Sequence, residues 1–465
     1  MNRSIVVIGS GLSGTLLCND LSRDHDVILV EKGPENRIEY PVIQYAKKKL
    51  AEVNTFCFGK GGTTNLWHNG LIPINPKDVS GLSFKDVLFD ALPFIDRAAG
   101  ALYFAHSSFQ AEYDRLVAEV NSLSSNFAVF PHGFDCLIYP KKFQRLTPVS
   151  QAKTFFDVKN LEFVFDNSRI SQILFSARGK DHVLAPDIVI VAAGAMGTPG
   201  VLQKIVNAAG LSCHSEGGGF IDHPMGFVGK VRFKKDISSV FRKLSAYDKG
   251  CFVSRNAVRL KSGCGRYTAA AFFRPALTMD NRLDIYKYKS ALGASAGLTR
   301  LKNAFSWKIF HPDIVAEIFA HLFGVSIPSR TFNILFISEQ KRDSNRVYYE
   351  GDQLHVDWSI SDEEMTAYRE MLERLTGMLA ELADETNINT DITEDWLWSA
   401  AHHSGTTPMG DGDDDLIDSD LKVKFCQNAF VCDGSVLQEH SYANTGLAIG
   451  QLAFRLADHI RRKVV

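Results

Sequence analysis

The chain has 465 residues, 45% hydrophobic and 22% charged, which suits a folded globular protein and excludes disordered, collagen-like or coiled-coil classes. Lys+Arg 51 against Asp+Glu 53 leaves a formal net charge of -2, so no basic excess points to nucleic acid. At about 150 residues per domain, two or three domains are expected.

Ser4 to Ile8 is a continuous β-branched run, as a strand buried on both faces requires. Gly9-x-Gly11-x-x-Gly14 follows, then a helical pattern from Thr15 to Leu21 and a second strand, Asp26 to Val30, closed by Glu31. This βαβ unit begins a parallel sheet. The fingerprint sits between a strand and a helix, the context in which it binds a dinucleotide. Gly9 permits the tight turn, Gly11 a close backbone approach to pyrophosphate, and Gly14 close helix packing. Leu12 and Ser13 open the helix whose N-terminus faces the negative charge. Glu31, with Lys32 beside it, is placed to accept hydrogen bonds from ribose hydroxyls. These residues alone leave FAD and NAD both open.

The cluster Lys47-Lys48-Lys49 reads as a solvated helix face. Gly59-Lys-Gly61-Gly62-Thr63-Thr64-Asn65-Leu66-Trp67 joins paired glycines to hydroxyl and amide side chains, which suits backbone running against a flat polar ring or a phosphate. Residues 81–149 read as mostly helical and loop-like. Leu161 to Phe165 and Ile170 to Ser176 read as paired strands, and Asp187 to Ala193, closed by Gly194, as another buried parallel strand. From about 223 to 385 longer alternating strands, such as Phe227 to Phe233 and Asn333 to Ser338, mix with helices. These include the aromatic amphipathic segment Lys302 to Phe323 and a long helix, Glu363 to Asp384. Asn428 to Asp433 returns to a buried strand, and Leu447 to Ile460 closes the chain as a helix.

Strands of one nucleotide-binding sheet thus occur at the start, the middle and the end. The expected fold is α/β: a Rossmann-like dinucleotide-binding domain with a parallel sheet (1–80, 150–222 and 386–465). A discontinuous α+β substrate domain (81–149 and 223–385) carries a mostly antiparallel sheet. None of the eight cysteines forms a CxxC pair, so zinc-ribbon and thioredoxin-like sites are excluded. No stretch approaches about 18 uncharged apolar residues. The chain opens directly into a strand without a charged leader, which predicts a cytoplasmic protein with reduced thiols.

Near the end, Ala400-Ala-His402-His403-Ser-Gly-Thr-Thr-Pro-Met-Gly410 carries two histidines in a glycine-rich stretch, Asp433-Gly434-Ser435 ends a strand, and Asn444-Thr445-Gly446 begins a helix. Together with the fingerprint, Gly61-Gly-Thr-Thr-Asn65, Ala193-Gly194-Ala-Met-Gly-Thr-Pro199, Gly219-Phe-Ile-Asp-His-Pro224 and Glu339 to Val347, these motifs lie in one order and register. The sequence resembles the glucose-methanol-choline (GMC) flavoprotein oxidoreductases over most of its length. The stretches 81–149 and 235–330, where substrate choice resides, are outside the resemblance.

The resemblance implies FAD rather than NAD. By position, Ile170 falls where members touch adenine through the backbone, and Asp433 and Gly434 beside the ribityl-pyrophosphate. Asn444 and Thr445 fall near the isoalloxazine, with Ala193 and Gly194 in the cofactor motif. His402 matches the catalytic histidine, and Asn444 the second active-site position, which is His or Asn among members. The chemistry agrees. A neutral His402 can take a hydroxyl proton, Asn444 can donate to the developing alkoxide, and flavin accepts the hydride; no metal is required. Members that tether FAD through histidine carry it where this chain has Leu66, so non-covalent FAD is expected, with His68 the alternative tether. Thr445 stands where many members have proline.

The function implied is oxidation of a CH–OH group in a small-molecule alcohol such as a sugar, polyol or secondary metabolite. The electron acceptor (oxygen, a quinone or a redox protein) is left open, with no nucleic acid partner and no integral membrane segment. The alternatives are a redox-neutral lyase or isomerase on the same scaffold, and a non-catalytic flavoprotein. His403 reads as structural, pointing away from the base. His223 reads as a packed turn residue, and Asp411 to Asp415 as a solvated acidic loop because Leu416 and Lys422 break the calcium-loop pattern.

Overall fold

The computed structural model describes residues 2–46, 54–67, 69–124, 129–140, 152–211, 217–248, 251–294, 306–323, 328–412 and 415–463. The calls on Lys47-Lys48-Lys49, His68, Cys213, the start of the 302–323 segment and two residues of the acidic loop lie outside them.

Five parallel strands form the nucleotide-binding sheet, in the order Ala429–Val431, Ile188–Val191, Ser4–Ile8, Asp26–Val30, Lys153–Phe155. Every residue of Ile188–Val191 is buried, as an apolar strand covered on both faces by helices must be. The helices Leu12–Leu21, Gly194–Ala208 and Thr445–Lys463 supply that cover. The last packs along the first, so the two ends of the sequence meet beside one sheet.

A second, eight-stranded antiparallel sheet runs Ser245–Asp248, Cys251–Lys261, Thr268–Ala276, Thr331–Ser338, Pro224–Phe233, Ala383–Ile388. Phe134–Pro140 pairs with Cys251–Lys261, and Trp398–Ser399 pairs with the start of Pro224–Phe233. All eight residues of Thr331–Ser338 are buried, because both faces are covered. Phe336 meets Tyr368 of the Asp362–Ala380 helix on one side, and Leu335 and Ile337 face a cavity on the other. That helix starts at a capping box in which Ser361 Oγ accepts from the Glu364 amide and the Glu364 carboxylate accepts from the Ser361 amide.

Two differences from the sequence reading bear on the site. Phe134–Pro140, within a stretch read as helical and loop-like, is a strand of the large sheet; a short apolar run has no periodicity to separate the two states. The helices Leu82–Ala91 and Ile95–Ala101 pack against Thr445–Lys463, on the side of the parallel sheet. The amphipathic segment forms a short turn of helix, Trp307–Phe310, and the helix Pro312–Phe323. No helix among the described residues is long and apolar enough to cross a membrane. The seven described cysteines are all free thiols.

Candidate active site

One continuous cavity of about 770 Å³ runs from the edge of the parallel sheet to the face of the antiparallel sheet. Three helix N-termini open onto it, through Gly11-Leu12-Ser13, Ala193-Gly194-Ala195 and Asn444-Thr445-Gly446. Each presents backbone N–H groups and the positive end of a helix dipole. Gly11 caps the first helix with no side-chain bond to its amides, which leaves them for an anion. The strand-to-helix turn depends on glycine. Gly9 has φ +109°, and a Cβ on Gly14 would lie 1.9 Å from the Gly9 carbonyl oxygen.

Gly62, Thr63, Thr64, Leu66 and Lys32 also line the cavity. Asn65 does not; its amide ties the Lys60 and Gly62 carbonyls together and shapes the turn from within. Gly61, at φ 88°, turns the chain into that segment. Asp433 accepts from the Gly194 amide at 2.8 Å, Thr198 Oγ1 at 2.6 Å and the Ser435 amide at 2.8 Å, locking two cavity-lining loops together. Burial raises its pKa, and those bonds oppose the shift. Gly434 lies beside it on the lining. An elongated, apolar-lined cavity with helix N-termini at mid-length fits a dinucleotide with a flat ring system.

Glu31 lines the cavity too, but its carboxylate is engaged by the protein. One oxygen accepts from the Ser10 amide and hydroxyl, both at 2.8 Å, and the other from the amides of Gly33 at 2.7 Å and Gly59 at 3.2 Å. A ribose hydroxyl therefore has to share an oxygen that already has two donors. Ile170 does not reach the cavity: it is fully buried, and Asn428 takes up both its N–H and its C=O at 3.0 Å. The hairpin residues that line the cavity are Val158 to Leu161, on the partner strand.

At the junction of the two sheets stands His402. Its Nε2 lies 3.2 Å from Asn444 Nδ2, and its Nδ1 lies 2.7 Å from His223 Nδ1. His223 Nε2 in turn lies 2.6 Å from the Ser441 carbonyl oxygen. A carbonyl only accepts, so His223 Nε2 carries a proton. In neutral His223 the Nδ1 is then an acceptor, which makes His402 Nδ1 the donor and leaves His402 Nε2 with a free lone pair. Asn444 Nδ2, a donor only, agrees from the other end. The tautomers follow from the partners, hydrogen by hydrogen.

Burial keeps these rings neutral. It pushes the pKa of His402 down to about 4, against the attraction of Asp222, and with a smaller push from His403. His403 and His440 are pushed to about 3, and His223 well below its usual range by burial and by the neighbouring His440 and His402. His440 packs edge-on against His223 at 4.0 Å between ring centres. Asp222 accepts from the backbone amides of His402 at 2.9 Å and His223 at 2.7 Å, and from the Ser399 hydroxyl. It thereby holds both histidine backbones, and burial raises its own pKa.

His403 also lines the cavity, with Nε2 3.7 Å from Asp222 Oδ2 and without a hydrogen bond. The sequence reading had set His223 aside as a turn residue; the structure puts its ring against the candidate base. The motif Asp222-His223-Pro224 was the available signal, but nothing in it shows that the 402 loop packs on that strand.

Residues 342–453, which contain His402, Asp433 and Asn444, match the family model for GMC oxidoreductase. The match places this C-terminal segment with the GMC oxidoreductases. No curated protein matches it. Among solved structures it is similar in fold to pyridoxine 4-oxidase from Mesorbium loti (15% identity, 99% of each chain, TM-score 0.62). An FAD-dependent oxidoreductase from Chaetomium thermophilum is similar at 14% identity over 100% of both chains, TM-score 0.60. So is formate oxidase, at 14% identity over 100% of this chain and 99% of that one, TM-score 0.59. The match of this segment supports a flavin-dependent oxidoreductase.

Proposed function

We propose that this enzyme holds FAD without a covalent tether and oxidises a CH–OH group of a small-molecule alcohol. The observation that carries the reading is the His402–Asn444 pair, 3.2 Å apart, with the His402 Nε2 lone pair fixed toward the cavity. Gly11 to Ser13 and Gly194 would receive the pyrophosphate. Leu66, at the tether position, offers no nucleophile, and the cavity-lining Cys57 thiol donates to the Gly62 carbonyl at 3.3 Å.

Bound FAD would supply the acceptor for the carbon-bound hydride. His402 Nε2 takes the hydroxyl proton. The charge that arises on His402 is eased by the Nδ1–H donated to His223 and by the field of Asp222. Asn444, which donates to Nε2 in the free site, has an amide N–H to give to the substrate oxygen as negative charge develops there. Gly70 sits beside that amide: a Cβ there would touch Asn444 Nδ2 at 3.4 Å and crowd Leu137 at 3.1 Å and Tyr139 at 3.2 Å. Apolar walls from Met225, Phe227 and Ile337 keep bulk water from the reacting atoms.

Anaerobic addition of alcohols to the yellow holoenzyme should bleach the flavin absorbance. Turnover of a substrate with the flavin left oxidised would overturn this reading in favour of redox-neutral chemistry.

A further inference from the structure

Beyond His402 the cavity follows one face of the antiparallel sheet. Directly opposed residues share a face, so three rows can be read from the register. Met225 stands opposite Ile337, with Trp398 on its other side; this row is nearest the His402 loop. Phe227, Leu335 and Phe272 form the second row, and Lys230, Asn333 and Arg274 the third. Two apolar rows thus lead to a polar one. Four residue steps along the strand separate Ile337 from Asn333, about 13 Å at ~3.3 Å per residue.

The third row is unevenly satisfied. The Lys230 ammonium is bound to Asp313 and, at 3.0 Å, to Thr278. Arg274 lines the cavity at its exposed, solvent-facing end, and its side chain has no ion pair or hydrogen bond among the described residues. Asn333, its register neighbour, is 1% exposed with neither amide atom hydrogen-bonded, an arrangement that costs stability unless something compensates. A second cation, Lys289, is buried over the Phe227 ring at 4.7 Å and lines the same wall. The acids on the cavity wall, Glu31, Asp352 and Asp433, stand with the cofactor-binding loops; among the described residues none lines the substrate half.

We propose that the substrate carries a carboxylate at the end remote from its alcohol, joined by an apolar spacer, and that Arg274 receives it. The planar guanidinium matches a carboxylate with two parallel bonds, and its exposed position puts that carboxylate at the mouth of the cavity, with the apolar spacer inside. Lys289 adds positive potential from the side. The apolar rows carry the spacer and set its length. This inference rests on reading His402 and Asn444 as the alcohol site.

The test uses the holoenzyme with 10-hydroxydecanoate, the neutral 1,10-decanediol, and decanoate, which lacks the reacting hydroxyl. Flavin bleaching should show kcat/KM roughly 2–5-fold higher for the hydroxy acid than for the diol. Arg274→Gln should lower the hydroxy acid to the level of the diol, with Arg274→Lys between. Decanoate should perturb the oxidised flavin spectrum and raise the melting temperature, and Arg274→Gln should abolish both effects. Equal rates for acid and diol, with no decanoate binding, would overturn the carboxylate site and leave the alcohol reading intact. If no alcohol bleaches the flavin but decanoate still binds through Arg274, the anion site stands and the alcohol reading falls. Failure of both measurements overturns both.

Discussion

His223 Nδ1 and His402 Nδ1 lie 2.7 Å apart, and the Ser441 carbonyl behind His223 decides which of them holds the proton. A backbone oxygen that cannot donate thereby sets the protonation of a side chain two hydrogen bonds away. Removing the His223 ring should free His402 to adopt the other tautomer and to rotate. His223→Ala should slow flavin reduction by roughly 10–100-fold, the cost typical of partners that orient a functional histidine. His223→Asn, which offers an acceptor near the Nδ1 position, should recover part of the rate. Identical rates for the two variants would refute the tautomer argument.

His402→Ala should slow flavin reduction by roughly 10²–10⁴-fold with FAD still bound. Asn444→Ala removes a donor to the alkoxide and should cost roughly 10²–10³-fold. The losses should not multiply fully, because both groups act on one oxygen. Stopped-flow reduction without oxygen measures each. His403→Ala should be milder, and a crippling His403→Ala beside a silent His402→Ala would place the base one residue away.

Glu31→Gln should lower both the melting temperature of the apoprotein and its affinity for FAD. The carboxylate satisfies four protein donors, and an amide can accept at only one of the two positions. Buried donors left without a partner cost about 1–3 kcal/mol each. Calorimetry of apoprotein and FAD titration separate the two effects; a loss of FAD affinity with an unchanged apoprotein melting temperature would restore the ribose as the main partner of Glu31.

The four buried histidines give the fold an acid-sensitive window. His402, His403 and His440 have pKa values lowered from 6.5 to about 4, 3 and 3, and His223 is lowered as well. Unfolded histidines gain protons below their ordinary pKa while the folded ones stay neutral. The unfolded state therefore binds more protons, and stability falls as pH drops from about 6.5 toward about 4. Above that window the contribution is complete. Denaturant titrations at pH 7.5 and 5 should show the loss, and His440→Phe, which removes one titrating ring, should reduce it. An equal slope in wild type and variant would contradict this.

Much of the cavity lining was legible because its signals are local. Gly9, Gly11 and Gly14 sit on consecutive turns of one strand–helix junction, and backbone approach demands glycine there. His402 and Asn444 could be named from their motifs, yet only folding brings them to 3.2 Å. What escaped was set by long-range pairing. Glu31 looks like a free acceptor until the 59–60 turn folds over it. Ile170 looks like a cavity residue until Asn428 takes both its backbone groups. His223 looks like a turn residue until the 402 loop closes on its strand, and Arg274 stands out only when the sheet register sets it beside Asn333 and beyond two apolar rows.

The helix Thr445–Lys463 lies along Leu12–Leu21, and Ala429–Val431 forms the edge of the sheet whose centre is Ser4–Ile8. The candidate cofactor cavity therefore draws on residues 8–13 and 433–449, far apart in the sequence and adjacent in the fold. A growing chain displays the glycine turn and Glu31 long before Asp433 and Asn444 are made, so the two sides of the cavity cannot meet until residue 444 has emerged. On the proposed reading of the cavity, a nascent chain stalled before residue 429 should not retain flavin. Such a chain also leaves the apolar flank of Ile188–Val191 without its neighbour, an open strand edge of the kind on which chaperones and aggregates act.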